Sequence, residues 1–303
     1  MTTTTVASNQ SHLSAEEIAK LNKPGHDTKW WLGTVGTVVG MGAIVLYCVL
    51  PFYWMIVTAV LPTSQVLARE PTLVPALADI SFRAFAAAFE RKPLATWLAN
   101  SLLVTVGATT LSLVIASLAG YSLSRFRTRA QELTGLTLLL TKMLPGSLIV
   151  IPFFIMATTF HLIDSLWALM LANAAVGVPF ATWLLKGFFD GIPRDLEHAA
   201  MIDGCGHLTA FLYIIVPLAR PGLAACAIYL AILTWSDFVF AKTLINDQAH
   251  WTITTGMVSF IGEHGIDWSA LMAAGVISMV PMVVLFLLLE PFLVSGMTSG
   301  SQR

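Results

Sequence analysis

The chain has 303 residues, of which 56% are hydrophobic and only 11% are charged, and its mean hydropathy is +0.78. Soluble domains carry about 25% charged residues, so a soluble fold of this size could not cover its surface, and the composition indicates an integral membrane protein. A net charge of −1 excludes the basic field that nucleic acid requires. The three cysteines, Cys48, Cys205 and Cys226, lie too far apart in sequence to indicate a disulfide framework or a zinc site.

Residues 1–29 are polar and are expected to form a cytoplasmic N-terminal tail. A cleaved signal peptide is not expected, because the first apolar run begins late, is long and lacks a small-x-small cleavage site. Trp30 and Trp31 follow the tail, where an interfacial aromatic belt belongs.

Six long, charge-poor stretches follow the tail. A helix needs about 20 apolar residues to cross a bilayer core about 30 Å thick, and strands are a poor alternative because these runs are continuously apolar rather than alternating. The sequence therefore predicts an all-α integral membrane protein with six transmembrane helices within 30–295 and a cytoplasmic tail at 296–303. The predicted helices cover about 31–60, 97–124, 133–160, 165–186, 217–240 and 269–293.

The distribution of Lys and Arg near the span ends predicts the orientation, because cytoplasmic loops carry an excess of both. With the N-terminus inside, the inner segments hold Lys20, Lys23, Lys29, Arg125, Arg127, Arg129, Lys186, Arg194, Arg220 and Arg303. The outer loops then hold Arg69, Arg83, Arg91, Lys92 and Lys242. This asymmetry favours cytoplasmic termini, although the first outer loop carries four of the outer charges.

The longest predicted cytoplasmic loop, 188–216, has a helical pattern of its own. Pro193 suits the first turn of a helix, and Asp195 and Glu197 are acids that favour the positive end of the helix dipole. Gly204 is expected to end this helix. A second amphipathic stretch follows, with its apolar side formed by Leu208, Phe211, Leu212 and Ile215.

Two small residues, Ala199 and Ala200, would let this short helix approach a partner closely. The turn at Gly204 would return the chain to the membrane. That shape is typical of a helix that inserts into a groove on a cytoplasmic protein. An ordinary amphipathic helix on the membrane surface explains the same residues equally well.

The loop resembles the EAA loop of ABC importer permeases, whose pattern is E-A-A, three residues, G, nine residues and I-x-L-P. His198, Ala199 and Ala200 take the first three positions, and Gly204 follows after three residues. The segment Ile214-Ile215-Val216-Pro217 closes the pattern at the expected spacing. His198 replaces the usual glutamate and a valine replaces the leucine, which puts the usual role of that glutamate in doubt.

Shorter segments elsewhere are similar to the carbohydrate branch of this family, the maltose-permease-like subunits. Each is weak alone, and together they point to sugars. They are Leu50-Pro51-Phe52-Tyr53-Trp54-Met55, Asn100-Ser101-Leu102, Gly120-Tyr121, Met143-Leu144-Pro145, Trp235-Ser236-Asp237-Phe238 and Ser295-Gly296-Met297-Thr298-Ser299-Gly300.

The resemblance implies a permease subunit of an ATP-driven importer, which carries a sugar delivered by a solute-binding protein across a bacterial-type inner membrane. The implied partners are a second permease subunit, two cytoplasmic ATPase subunits and an extracytoplasmic solute-binding protein. The chain contains no phosphate-binding loop of the form G-x-x-x-x-G-K followed by Ser or Thr. It is therefore expected to be no enzyme and to bind no cofactor or metal, with ATP and Mg²⁺ in the partner ATPase.

The resemblance also assigns the contact with the ATPase to the loop helix. Small side chains would allow close approach, polar side chains would pair with the partner, and a glycine would permit the turn. The residues concerned are Glu197, His198, Ala199, Ala200, Asp203 and Gly204.

Five residues in or near the predicted spans are candidates for the solute route: Asn100, Lys142, Asn173, Trp235 and Asp237. A charged side chain at the bilayer centre costs at least about 2.5 kcal/mol, so the lysine and the aspartate should face a cavity or a partner. Alternatively, the lysine reaches the interface and the asparagines form hydrogen bonds between helices. The shortage of buried charges favours a neutral, polyol-like solute.

Three other functions remain open from the residues. A permease subunit of a peptide or polyamine importer has similar size and a related loop. A stand-alone secondary transporter would need a coupling-ion site or an internal repeat, and no clear repeat is found. A membrane enzyme is disfavoured because the histidines follow no ligand spacing.

Overall fold

The computed structural model describes residues 28–68, 72–126, 128–262 and 265–299, and these are mostly helical. Most of the expected N-terminal tail, 1–27, lies outside the described residues. The last helix continues to Ser299, so the expected C-terminal tail at 296–303 begins within it, and 300–303 lie outside the described residues. The chain divides into two compact units, Met1–Trp54 and Met55–Arg303.

Nine helices of eight or more residues make up most of the described chain. They are α1 (Thr28–Val60), α2 (Arg83–Arg91), α3 (Leu94–Arg125), α4 (Arg129–Thr141), α5 (Gly146–Thr159), α6 (Leu166–Asp190), α7 (Asp195–Ile202), α8 (Arg220–Trp235) and α9 (Trp268–Ser299).

Shorter elements connect them. The helical turns are Thr63–Val66, Leu77–Asp79, His207–Ala210, Phe211–Ile215, Val216–Leu218, Val239–Leu244, Gln248–His250 and Ile253–Val258, of which Phe211–Ile215 is a π-helix. Two short strands, β1 (Ile261–Gly262) and β2 (Gly265–Ile266), pair antiparallel.

Within the described ranges, four helical segments are long and apolar enough to cross a membrane: Gly33–Val60, Leu94–Arg125, Leu166–Asp190 and Trp268–Leu293. The segments His207–Leu218 and Arg220–Trp235 make a fifth if this pair, bent by 79°, is one crossing. The helical membrane fold is therefore confirmed, and four or five of the six predicted spans are long and apolar enough by this measure.

The predicted third span, 133–160, is not one helix. It is divided into α4 and α5 by the residues from Lys142 to Pro145. Proline lacks the N–H that would continue the helical ladder, and it forces the residue before it towards an extended conformation. Pro145 directly precedes α5 and has extended backbone angles.

The predicted fifth span, 217–240, ends earlier than expected, at Trp235. Asp237 then accepts hydrogen bonds from the backbone N–H groups of Phe240 and Ala241. A side chain that accepts hydrogen bonds from the first backbone amides of a helix stabilises the beginning of that helix. The separate helix Val239–Leu244 begins at this point.

The core is formed where α3 packs against α6 and α8 packs against both. The backbones of α3 and α6 approach each other closely at Gly120, where an added Cβ would lie 2.9 Å from the carbonyl oxygen of Thr182 and 3.1 Å from the amide nitrogen of Lys186. Both atoms belong to the backbone of α6, so no side chain can move aside. Small residues allow this backbone approach between membrane helices.

We expect Gly120→Ala to destabilise the protein by about 1–3 kcal/mol, because the methyl group forces α3 away from α6. Gly187→Ala is the matched control, because no atom lies within 4 Å of the added Cβ and alanine favours a helix by about 0.5–1 kcal/mol. Thermal unfolding of the purified variants in detergent measures both. Equal melting temperatures for the two variants would contradict the close contact.

Two connecting segments, the one before α6 and the one after Val239–Leu244, are held together by Asp164. Its Oδ1 accepts the backbone N–H groups of Asp247 and Asn246, and these two hydrogen bonds, that of Asp247 first, lower the pKa of the Asp164 carboxyl below its usual value. Its φ of 61° is left-handed, a conformation in which Asp and Asn are enriched.

The lowered pKa of Asp164 predicts a stability that depends on pH. A carboxyl with a depressed folded-state pKa stabilises the fold above its unfolded pKa, about 3.9, and this contribution is lost as the pH falls through the folded value. We expect wild type to melt at a higher temperature than Asp164→Asn at pH 7, and the difference to shrink towards pH 3. A difference that stays constant over this range would contradict the charged hydrogen bonds.

Candidate coupling and pathway sites

The helix predicted in the long loop is present as α7. Asp195 and Glu197 occupy its first turn, where acids favour the helix dipole. It ends at Ile202, and Gly204 shortly after it has a φ of +91°, in the left-handed region that glycine adopts without strain. The amide of Cys205 then donates to the carbonyl oxygen of Ala200 at 2.9 Å, which closes the helix end.

The two faces of α7 have different surroundings. Glu197 and Ala200 are buried, because residues three apart share one side of a helix. The side chains of Leu196, Ala199 and Ile202 lie on another side and are exposed, Ile202 to 86%. His198, Asp203 and Gly204 are also exposed. The exposed face therefore offers small and apolar residues, with polar groups beside them.

The buried face of α7 is attached to the end of α3 by a cluster that sequence reasoning did not identify. The Nε of Arg125 donates to the Oε1 of Glu197, and the hydroxyl of Tyr121 donates to its Oε2 at 2.8 Å. The two charged side chains are only 7% and 6% exposed. We call Tyr121, Arg125 and Glu197 the arginine clamp.

The remaining donors of Arg125 bind the end of α6 and the segment directly after it. Its Nη1 donates to the carbonyl oxygen of Phe189 at 2.9 Å, and its Nη2 donates to that of Ile192 at 3.2 Å. Arg194 donates to the carbonyl oxygen of Ser124 at 2.9 Å. The clamp therefore joins α3, α6 and α7 through one guanidinium group, whose planar set of donors suits several acceptors.

A second pairing supports the same junction. Asp190, the last residue of α6, accepts a hydrogen bond from the Ser124 hydroxyl and another from the Lys186 ammonium, both at 2.6 Å. The aromatic rings of Tyr121, Phe189 and Phe211 pack beside the clamp, with 4.8 Å between the Tyr121 and Phe211 centroids. The ion pair is therefore shielded by apolar packing.

Of the five route candidates, the structure brings two together. The Nδ2 of Asn173 donates to the carbonyl oxygen of Leu169 at 3.0 Å and to the Oδ2 of Asp237 at 3.3 Å. Because Asp237 also accepts the backbone amides of Phe240 and Ala241, this pair links α6 to the start of Val239–Leu244. Their contact with solute stays a prediction.

The other three candidates lie in separate environments. The Nδ2 of Asn100 donates to the carbonyl oxygens of Ala249 and Trp251, at 2.9 and 3.0 Å. Trp235 packs with the cluster around Trp97. Asn100 therefore attaches α3 to the 248–251 segment.

Lys142 lies at the break between α4 and α5. Its Nζ donates to the carbonyl oxygen of Val176 on α6 at 2.5 Å. In the part of the chain that the structure describes, no group of three or more His, Cys, Asp and Glu residues could hold a metal ion.

Removal of one partner of the clamp should be costly, because it leaves a buried charge without compensation. We expect Arg125→Met or Glu197→Leu to destabilise the protein by about 3–5 kcal/mol. The double variant Arg125→Met/Glu197→Leu should lose less than the two single losses added together, since neither charge is then left alone. Thermal unfolding in detergent measures the stability of the wild type, the two single variants and the double variant. Strictly additive losses of stability would argue against a direct ion pair.

Comparison with known proteins identifies the family of the chain. Residues 112–299 match the family described as "Binding-protein-dependent transport system inner membrane component". The chain is 33% identical over 263 residues to the diacetylchitobiose uptake system permease protein DasC of Streptomyces coelicolor, which covers 86% of this chain and 95% of that relative. It is 35% identical over 208 residues to the maltodextrin transport system permease protein MdxG of Bacillus subtilis, covering 68% of this chain and 75% of the relative.

A solved structure shares the fold. It is the crystal structure of a bacterial ABC transporter involved in the import of the acidic polysaccharide alginate, and one of its chains matches with a TM-score of 0.76 and 22% identity. The match covers 88% of this chain and 99% of that chain. The chain therefore belongs to the family of inner-membrane components of binding-protein-dependent transport systems.

Proposed function

We propose that the chain is the transmembrane permease subunit of an ATP-driven ABC importer that carries a mono-, di- or oligosaccharide into the cytoplasm. The observation that carries the proposal is the alignment with a diacetylchitobiose permease over 95% of that relative's length. The maltodextrin relative supports the same class of solute.

The proposed topology has six crossings in the inner membrane, with both termini in the cytoplasm. The broken pair α4 and α5 would form the third crossing, and the bent segments His207–Leu218 and Arg220–Trp235 the fifth. The excess of Lys and Arg in the segments placed inside supports this orientation. A solute-binding protein would deliver the sugar on the outer side, and a second permease subunit would complete the membrane part.

The proposed coupling element is the EAA-like loop, with α7 docked into a groove on one of two ATPase subunits. The exposed face formed by Leu196, Ala199 and Ile202 would enter the groove, and His198 and Asp203 would make polar contacts at its edge. ATP and Mg²⁺ would bind to the ATPase. Glu197 and Ala200 are buried. Their burial supports a proposal in which these two side chains attach α7 to the permease, while the exposed face contacts the ATPase.

In this mechanism, closure of the ATPase dimer pushes α7, and the arginine clamp passes the movement to α3 and α6. The support for this step is geometric. Arg125 is the last residue of α3, and it contacts the end of α6 and the first turn of α7 at once. A force on α7 would therefore reach two membrane helices through charged hydrogen bonds.

We expect Ala199→Trp to uncouple the importer, because the indole would prevent close approach of α7 to the ATPase. Uptake of labelled sugars by the assembled importer should fall at least tenfold, while the level of the protein in the membrane stays the same. Uptake at the wild-type rate would contradict docking through this face. A wild-type importer that accumulates labelled peptides or polyamines, and no sugar, would contradict the proposed solute.

Crosslinking tests the docking face directly in a variant without native cysteines. Ile202→Cys, on the exposed face, should form a crosslink to the copurifying ATPase. Ala200→Cys is the matched control, because its side chain is buried against the permease. Crosslinks from position 202 that reach only lipid would overturn the coupling role.

A further inference from the structure

Lys142, in the interior of the predicted third span, lies level with the middle of α6. Its Nζ contacts the carbonyl oxygen of Val176, which is about 15 Å from the first residue of α6 and about 21 Å from the last, at a rise of 1.5 Å per residue. The length of α4 gives a second estimate of this depth. Its 13 residues place Lys142 about 20 Å from the start of that helix. Lys142 is too deep for its side chain to reach either interface.

The charge of Lys142 has little compensation. Among the described residues, no carboxylate forms an ion pair with it. The half-buried Asp237, just before the segment Val239–Leu244, is engaged by Asn173, Phe240 and Ala241. One carbonyl oxygen accepts one of the three ammonium protons, and a charged side chain at this depth is costly unless it lines a cavity or meets a partner.

Lys142 does line a cavity of about 390 Å³ between the α4–α5 break and α6. Its walls are mostly apolar and include Leu144, Ile149, Phe153 and Pro179. In an apolar surrounding an ammonium group attracts an anion far more strongly than in water. The cavity is also large enough to hold a group of several heavy atoms.

Two helix interruptions add polar groups to the same cavity. Gly146, at its wall, is the first residue of α5, so the positive end of that helix adds to the field of Lys142. Pro179 on α6 cannot donate to the carbonyl of Ala175, which also lines the cavity. A cation and a carbonyl acceptor in one cavity suit a molecule that has both an anionic group and hydroxyl donors.

We propose that this cavity binds the anionic group of an acidic sugar, a carboxylate, sulfonate or phosphate, and that Lys142 selects for it during passage. The proposal rests on the proposed sugar import and narrows its solute class. An acidic solute replaces the neutral solute that the sequence favours. The structure adds two observations that the sequence alone does not give: the depth of Lys142 along α6, and the absence of a carboxylate paired with it among the described residues.

The test uses the importer assembled with its own partner subunits and labelled sugars in matched pairs. Cellobiose is paired with cellobiouronic acid, and glucose with 6-deoxy-6-sulfoglucose and with glucose 6-phosphate. We expect wild type to take up at least one anionic member ten times faster than its neutral partner. Lys142→Gln should lower that uptake at least tenfold, and Lys142→Arg should keep it within threefold of wild type.

Lys242→Gln is the matched control, because it removes a lysine charge near Trp251 and away from the cavity, and it should keep anion uptake within twofold of wild type. If Lys142→Gln does not assemble, Lys142→Cys in a variant without native cysteines replaces it. Modification with 2-aminoethyl methanethiosulfonate restores an ammonium group and should restore anion uptake, whereas the sulfonatoethyl reagent should not.

Two results would overturn the acidic solute and leave sugar import standing. One is uptake confined to the neutral members of the pairs. The other is an equal loss of neutral and anionic uptake in Lys142→Gln, which would make the lysine a structural link between the helix break and α6. Uptake of no sugar in the panel would contradict sugar import as well.

Discussion

The buried ion pair between Arg125 and Glu197 determines how the loop helix is attached to the membrane helices. A charge removed from water is stable only when its partners replace the lost hydration, and here both carboxylate oxygens and all three nitrogens of the guanidinium have acceptors or donors inside the chain. Separation of α7 from α3 would expose these groups one by one. The junction therefore favours movement of α3, α6 and α7 together, which is what the proposed coupling role of α7 requires.

The membrane helices were largely predictable because hydrophobic length is a local property of the sequence. The predicted spans at 97–124 and 165–186 differ by only a few residues from α3 and α6. The division of 133–160 was missed although its cause is also local, since Pro145 and Gly146 mark the break. Hydropathy measures whether a segment prefers lipid, and it does not register whether the backbone hydrogen bonds continue.

The candidate site was predictable only in part. The positions of α7 and of the turn at Gly204 follow from neighbouring residues and are confirmed. The pairing of Arg125 with Glu197 joins residues 72 apart in sequence, and no local pattern encodes it. Glu197 and Ala200 share one helix face, but the sequence assigned Ala200 to contact with a partner, and only the structure shows that this face is buried against the permease.

Three charged groups in or beside the spans illustrate how differently the fold compensates charge. Arg125 meets a carboxylate and two carbonyls, and Asp237 meets one side-chain amide and two backbone amides. Lys142 meets one carbonyl. The first two are closed networks that fix helices, because every strong donor or acceptor is used. The third has one hydrogen-bond acceptor and lines a cavity, and a charge this sparsely paired within an apolar span is the group that the proposed acidic solute would meet.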